Sequence, residues 1–127
     1  MNNTFRYTLV PVILGTGLSA RLLADRWWIK FRVRSYVMGE KYHPLLLSPS
    51  VKFRRLSSST GYSDFVLTDL SRVAQEHPDK LPVLVGTTPH YRALIRENSA
   101  VLERQFILAD ETLSFLDTEG IAGGERA

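Results

Sequence analysis

The feature that most constrains the fold is an apolar run that ends at a glycine. Residues 7–14 are almost entirely apolar, and Gly15 closes the run. This composition is typical of a strand buried on both faces of a parallel sheet. The next apolar residues are spaced to share one face of a helix: Ala20, Leu23, Ala24 and Trp27. The pattern therefore predicts a buried strand followed at once by a helix.

The rest of the chain continues this alternation of strands and helices. Further strands are predicted over 32–38, 51–56, 81–86 and 106–109. Helices are predicted over 63–77, from Pro89 to Leu102 behind a Thr88 cap, and over 111–116. The proline-containing segment 42–50 is expected to be an ordered connection. The order βαββαβαβα predicts a three-layer, Rossmann-like α/β domain with a mainly parallel sheet over residues 1–117, followed by a flexible tail over 118–127.

Composition and charge exclude several classes of protein. The 127 residues contain no cysteine, which excludes disulfides, thiolate metal sites and a cysteine nucleophile. The net charge of +3 is mild, and the basic residues within 26–34 and 52–55 are interpreted as a solvated face, because no nucleic-acid-binding motif accompanies them. The first apolar segment is too short to span a bilayer and lacks the cleavage pattern of a secretory signal. We therefore expect a cytoplasmic protein that binds neither membrane nor nucleic acid.

The sharpest local motif is Gly15-Thr16-Gly17-Leu18-Ser19-Ala20, which fits the GxGxxG/A pattern between a strand and a helix. Glycines there allow a tight turn and a close approach of the backbone, and the helix N-terminus offers N–H groups to an anion. Glu40 follows the second predicted strand, where an acidic residue binds a ribose hydroxyl in dinucleotide-binding domains. The alternative is that both glycines only let the strand turn into a packed helix.

A second candidate segment is Gly86 to Tyr91, at the carboxyl end of the fourth predicted strand. Open α/β sheets bind their ligands at this edge, so Thr87, Thr88 and His90 could contact a substrate. The simpler interpretation assigns Thr88 to helix capping and leaves His90 exposed. No histidine has metal-ligand spacing and no serine lies in a nucleophile elbow, so we predict neither a metal site nor a catalytic residue.

Several segments resemble, in order, the N-terminal pre-ATP-grasp domain of ATP-grasp carboxylate–amine ligases of the D-aspartate ligase type. Residues 11–15, Pro-Val-Ile-Leu-Gly, are similar to the opening strand and loop of that family. Residues 83–86 followed by His90-Tyr91 and 94–98 resemble its later strand and the helix that begins with a tyrosine. Residues 106–108 fit the next short strand, so the resemblance covers nearly all of 11–116.

The resemblance implies that this chain is the substrate-binding first domain of a ligase. Its partners would be C-terminal ATP-grasp domains of the same polypeptide, which hold ATP and magnesium and form an acyl phosphate that an amine attacks. Gly15, Thr16 and Gly17, followed by Thr87 and Thr88, would face a small carboxylate substrate. The isolated chain would bind no cofactor itself and would be inactive as an enzyme, and the docking face left uncovered would favour a homodimer.

Two other interpretations remain open from the residues alone. The glycine loop with Glu40 as a cofactor-binding residue would suit a stand-alone nucleotide- or dinucleotide-binding module. The leucine-rich segment 42–47 or an exposed Trp27-Trp28 pair would suit a protein-interaction domain. Helical spacing favours a core position for Trp27.

Overall fold

The computed structural model describes residues 9–56 and 63–109, and within them five strands form one parallel sheet. The strands are β1 (Leu9–Leu14), β2 (Ser35–Gly39), β3 (Val51–Arg55), β4 (Leu81–Gly86) and β5 (Ile107–Ala109). They lie side by side in the order β3-β2-β1-β4-β5, with every neighbouring pair parallel. The predicted α/β class and parallel sheet are confirmed, and the sheet is Rossmann-like.

The most apolar segments form the centre of the sheet. Every residue of β1 is buried, as are the last five of β4. These two strands pair along their whole length, from Leu9 opposite Leu81 to Leu14 opposite Gly86. A strand can be apolar at every position only where both sheet faces are covered, so the composition of β1 and β4 explains their central positions.

Helices cover both faces of the sheet. They are α1 (Leu18–Phe31), α2 (Ser63–Gln75), α3 (Pro89–Glu97) and the single turn α4 (Ser99–Leu102). Because side chains alternate along a strand, Ile13 and Val37 pack with α1, whereas Val12 and Met38 pack with α2 and α3 on the other face. Trp27 of α1 is fully buried, as its helical spacing predicts. The result is a three-layer arrangement with a hydrophobic core on each side of the sheet.

Two predicted boundaries differ from the structure for local reasons. The strand predicted over 32–38 begins only at Ser35, because Arg32 ends α1 in the left-handed conformation (φ 56°) and its N–H binds the Trp28 carbonyl. The helix predicted to run from Pro89 to Leu102 is divided at Asn98, whose side-chain amide donates to the Leu94 carbonyl at 2.8 Å. The strand predicted from residue 51 and the cap at Thr88 are confirmed.

The connection between β2 and β3 is ordered, as predicted, and contains a short 3₁₀ helix (Pro44–Leu46). His43 caps this turn by accepting the Leu45 N–H on Nδ1 at 3.1 Å. Leu46 is buried against the α1 side of the sheet, which anchors the connection. The helix predicted over 111–116 and the tail predicted over 118–127 lie outside the described residues.

Candidate functional site

The loop after β1 depends on Gly15. Its φ of +125° is one that residues with a side chain rarely adopt, and its N–H donates to the Met38 carbonyl at 2.8 Å. On the neighbouring strand, Thr87 donates both its N–H and its hydroxyl to the Leu14 carbonyl, each at 2.9 Å. A Cβ added to Gly15 would collide with the Thr87 hydroxyl oxygen. Gly15 thus allows β1 and the end of β4 to stay close where the chain turns into α1.

Gly17 occupies a different environment. It is the N-cap residue of α1 with φ −89°, a value open to any residue, and a Cβ added there would meet no atom within 4 Å. No side chain caps this helix, and its first turn contains no acidic residue. Helix N-termini have unpaired N–H groups and a partial positive charge, which favour an anion. The α1 N-terminus is therefore open to a ligand rather than packed against protein.

A cleft of about 350 Å³ lies in front of this loop. It is bounded by the residues that follow β1, β2 and β4, at the carboxyl edge of the sheet. We call it the carboxyl-edge cleft, and its lining residues are Gly15, Thr16, Gly17, Gly39, Glu40, Lys41, Thr88 and Tyr91. β1 lies between β2 and β4, so the connections that follow β1 and β4 run in opposite directions from the centre of the sheet. Open α/β sheets bind their ligands at the carboxyl ends of the strands, where the strand order reverses in this way.

The structure brings most of the predicted site residues together. Gly15, Thr16 and Gly17 meet Glu40 and Thr88 around this one cleft, although they come from three segments of the chain. A sequence motif alone does not place residues after β1, β2 and β4 side by side. The strand order does so, because β2 and β4 both pair with β1.

Thr87 does not line the cleft, although the sequence analysis named it with Thr88. Its hydroxyl donates to the Leu14 carbonyl and lies beside Gly15, so its contacts join β4 to β1. Thr88 accepts the Tyr91 N–H on its hydroxyl oxygen at 3.2 Å, as an N-cap does. The Thr88 hydroxyl hydrogen remains available to a ligand.

Sequence reasoning missed Gly39, Lys41 and Tyr91 as cleft residues. A Cβ on Gly39 would collide with the Thr16 methyl group, so this glycine lets the end of β2 approach the β1 loop. Lys41 adds a cation beside the acidic Glu40. The helical spacing of Tyr91, Leu94 and Ile95 predicts a core position for Tyr91, and its side chain is both mostly buried and part of the cleft wall. The signal for Lys41 was its position three residues after the strand predicted over 32–38.

The electrostatics of the cleft combine groups of both signs. Burial raises the pKa of the Tyr91 phenol, and the negative charge of nearby Glu40 raises it further. Lys41, the hydroxyls of Thr16 and Thr88 and the first N–H groups of α1 are hydrogen-bond donors, while Glu40 is an acceptor. The arrangement can bind a small ligand that has an anionic group together with an amine or hydroxyl.

The coupling between Glu40 and Tyr91 is directly measurable. In the Glu40→Gln variant the pKa of Tyr91 should fall relative to the wild type, because the charge that disfavours the phenolate is gone. It should stay above the value of a solvated tyrosine, because burial is the larger cause. NMR titration of ring-labelled tyrosine would measure both values. An unchanged Tyr91 pKa in Glu40→Gln would contradict this arrangement of the cleft.

The three histidines lie outside the cleft. His43 caps the 3₁₀ helix, His77 binds the Tyr36 hydroxyl through Nε2 at 3.0 Å, and His90 is exposed with its ring edge-on to Tyr91. Across 9–56 and 63–109, no three histidine, cysteine, aspartate or glutamate side chains are grouped to hold a metal ion. Nor does that part of the chain contain a helix of the length and apolarity needed to cross a membrane.

Comparison of the chain with protein-family models, with curated proteins and with solved structures gives no match.

Proposed function

We propose that this chain is the substrate-binding, pre-ATP-grasp domain of an ATP-dependent carboxylate–amine ligase and that it binds a small carboxylate in the carboxyl-edge cleft. The observation that carries the proposal is the open N-terminus of α1 at Gly17. Glycine is not required there by φ or by packing, so a close approach of a ligand to the backbone explains it best. A carboxylate suits the unpaired N–H groups and the partial positive charge.

The other cleft residues support a substrate with a second polar group. Lys41 and the Thr16 and Thr88 hydroxyls would add donors to the carboxylate, and Glu40 would accept a hydrogen bond from an amine or hydroxyl of the same molecule. The cleft volume of about 350 Å³ suits a small metabolite, since pockets for drug-sized ligands begin at roughly 300 Å³. An amino acid or a hydroxy acid has this combination of size and groups.

In this proposal the chain positions the substrate and does not transfer phosphate. Phosphoryl transfer needs cationic groups and metal-binding carboxylates around the γ-phosphate. C-terminal ATP-grasp domains of the same polypeptide would bind ATP and magnesium and form the acyl phosphate. The residues of this chain would hold the carboxylate towards those domains and exclude water from one side of it.

Glu40 favours a second candidate function, a nucleotide- or dinucleotide-binding module. It lies one residue beyond β2 and lines the same cleft as the glycine loop, where an acidic residue would bind ribose hydroxyls. The α1 N-terminus would then hold a pyrophosphate instead of a carboxylate. The two candidates use the same residues and differ in their ligand.

Thermal unfolding with a panel of ligands separates the two functions. We expect at least one amino acid or hydroxy acid at millimolar concentration to raise Tm, and NAD, AMP and ATP to leave it unchanged. A ligand at a hundredfold excess over Kd stabilises the folded state by about 2.7 kcal/mol, which is several degrees for a domain of this size. A shift with NAD or AMP alone would support the nucleotide module, and no shift with any ligand would contradict both functions.

A further inference from the structure

A second cavity lies at the opposite edge of the sheet from the carboxyl-edge cleft. It has a volume of about 190 Å³, is open to solvent and lies where the chain enters β1, β2, β3 and β4. Four of its lining residues are cationic, namely Arg32, Arg34, Lys52 and Lys80, and none is acidic. We call it the amino-edge pocket. The sequence analysis interpreted the basic residues of 26–34 and 52–55 as a solvated face, but the fold gathers three of them with Lys80 around one cavity.

These four cations have no carboxylate partner among the described residues, whereas Arg21, Arg54 and Arg72 each pair with one. Arg54 is paired with Glu76 through two contacts of 2.6 and 2.7 Å, and Arg21 with Asp25 at 3.0 Å. Arg32, Arg34, Lys52 and Lys80 form no such ion pair with any residue in 9–56 or 63–109. Like charges around a small cavity repel one another, and a bound anion would remove that repulsion.

The Arg34 and Lys52 side chains are held in place by interactions that do not neutralise their positive charges. Arg34 donates from Nε to the Pro49 carbonyl and from Nη2 to the Val51 carbonyl, both at 2.9 Å. These bonds fix the guanidinium, and its Nη1 makes no hydrogen bond to a described residue. The Lys52 ammonium lies 5.3 Å from the centre of the Tyr36 ring.

The Tyr36 hydroxyl in turn binds His77, which joins β2 to the turn before β4. Tyr36 and His77 both line the pocket, so the residue that holds Lys52 is itself held in place. Because these side chains are already fixed, less conformational entropy is lost when a ligand binds.

Arg32 adds an independent observation. It is the one residue other than glycine with positive φ in the described part of the chain, at the helix-ending position where glycine is usual. The left-handed backbone conformation disfavours an arginine at this position. The presence of Arg32 is therefore better explained by a role of its guanidinium group. Its guanidinium lies 5.5 Å from the centre of the Trp28 ring, and Arg32 lines the pocket.

Two features could argue against an anion site here, but neither accounts for all four cations. The C-terminus of α1 lies nearby, but its dipole is equivalent to about half a negative charge, against four cations. Cations on an edge strand also prevent sheets from pairing edge to edge, which would explain Lys52 on β3. That explanation does not apply to Arg32, Arg34 and Lys80, which lie outside the strands and come from two other segments.

We propose that the amino-edge pocket binds a compact polyanion that carries phosphoryl groups. Arginine forks and lysine ammonium groups suit phosphate oxygens, and two arginines with two lysines exceed what a single carboxylate needs. The volume, below the roughly 300 Å³ of drug-sized sites, suits pyrophosphate or the phosphate of a small monoester rather than a whole nucleotide. The site is separate from the carboxyl-edge cleft and does not depend on the function proposed for it.

Calorimetric titration with inorganic pyrophosphate and with glycerol 3-phosphate tests the proposal, with ionic strength held constant by chloride. We expect saturable 1:1 binding of at least one of them at millimolar concentration or below. Comparison of the two Kd values shows whether the pocket prefers a free or an esterified phosphate. Saturable binding of either compound supports the proposal.

The variants Lys52→Gln and Lys80→Gln should each weaken binding by about five- to tenfold, the effect expected for one charge-assisted contact. Arg26→Gln is the matched control, because Arg26 is exposed on α1 and outside the pocket; it should change Kd by less than about twofold. Circular dichroism would verify that each variant is folded.

Three results would overturn the proposal. The first is the absence of saturable binding of either phosphate up to about 10 mM. The second is equal weakening by Arg26→Gln, which would indicate a diffuse charge effect. The third is tighter binding of a single-stranded oligonucleotide that Lys52→Gln and Lys80→Gln also weaken, since that would assign the surface to nucleic acid.

Discussion

Replacing Gly15 with alanine is expected to destabilise the folded chain by about 2–4 kcal/mol and to lower Tm by about 8–15 °C. The φ of +125° disfavours any side chain, and the new Cβ would collide with the Thr87 hydroxyl oxygen. β1 and β4 would then have to separate at the point where Thr87 donates to the Leu14 carbonyl. Urea unfolding followed by circular dichroism measures the loss.

Gly17→Ala is the matched control, because it makes the same change two residues away at an allowed φ and in open space. Its free energy of unfolding should stay within about 1 kcal/mol of the wild type. A second variant isolates the collision: in Gly15→Ala combined with Thr87→Ala, the total loss should be smaller than the sum of the two single losses. Equal stability of Gly15→Ala and Gly17→Ala would contradict this description of the loop.

The second large effect is expected at the centre of the sheet. Leu84→Ala should reduce the free energy of unfolding by about 2–5 kcal/mol, because Leu84 is fully buried on β4 between β1 and β5 and its loss leaves a cavity under α2 and α3. Leu81→Ala makes the same chemical change at the start of the same strand, where the side chain is 47% exposed. That variant should lose less than about 1 kcal/mol.

Urea unfolding of both leucine variants gives the comparison, with the slope m used to verify that each unfolds in one cooperative step. Similar losses of unfolding free energy in Leu84→Ala and Leu81→Ala would contradict the buried position of Leu84 in β4.

The sequence predicts where β1, β2 and β4 end because each of these apolar runs closes at a glycine. Residues 81–86 were predicted with the observed bounds, since a buried strand must be apolar throughout and Gly86 ends the run. Val66, Leu70 and Val73 have the spacing of one helical face within the helix predicted over 63–77, and all three side chains are fully buried. Burial requirements of this kind act on every residue of an element, so they are visible in its composition.

Local hydrogen bonds were harder to predict from the sequence. The division of the third predicted helix at Asn98 depends on one side-chain amide that competes for a backbone carbonyl, and the apolar spacing continues through it to Leu102. The late start of β2 depends on the left-handed Arg32, at a position where sequence patterns lead one to expect glycine. Both boundaries depend on a single residue, and the spacing of apolar residues does not reveal such effects.

The candidate site was predictable where it depends on a motif and unpredictable where it depends on tertiary contact. The glycine loop and Glu40 were identified from spacing and strand order. The division of roles between Thr87 and Thr88 was not, because the Leu14 carbonyl that Thr87 binds is 73 residues away in sequence. The amino-edge pocket was missed for the same reason, since Lys80 joins the other cations only in the folded chain.

An NMR titration of the ¹⁵N-labelled chain with the carboxylate that raises Tm shows whether that carboxylate binds at the N-terminus of α1. We predict saturable shifts of the Gly17 and Ser19 amides together with those of Lys41 and Thr88, and their loss in Gly17→Val, which places a side chain in the cleft at an allowed φ. Shifts confined to residues outside the carboxyl-edge cleft, or unchanged affinity in a folded Gly17→Val variant, would mean that the carboxylate does not bind at the N-terminus of α1.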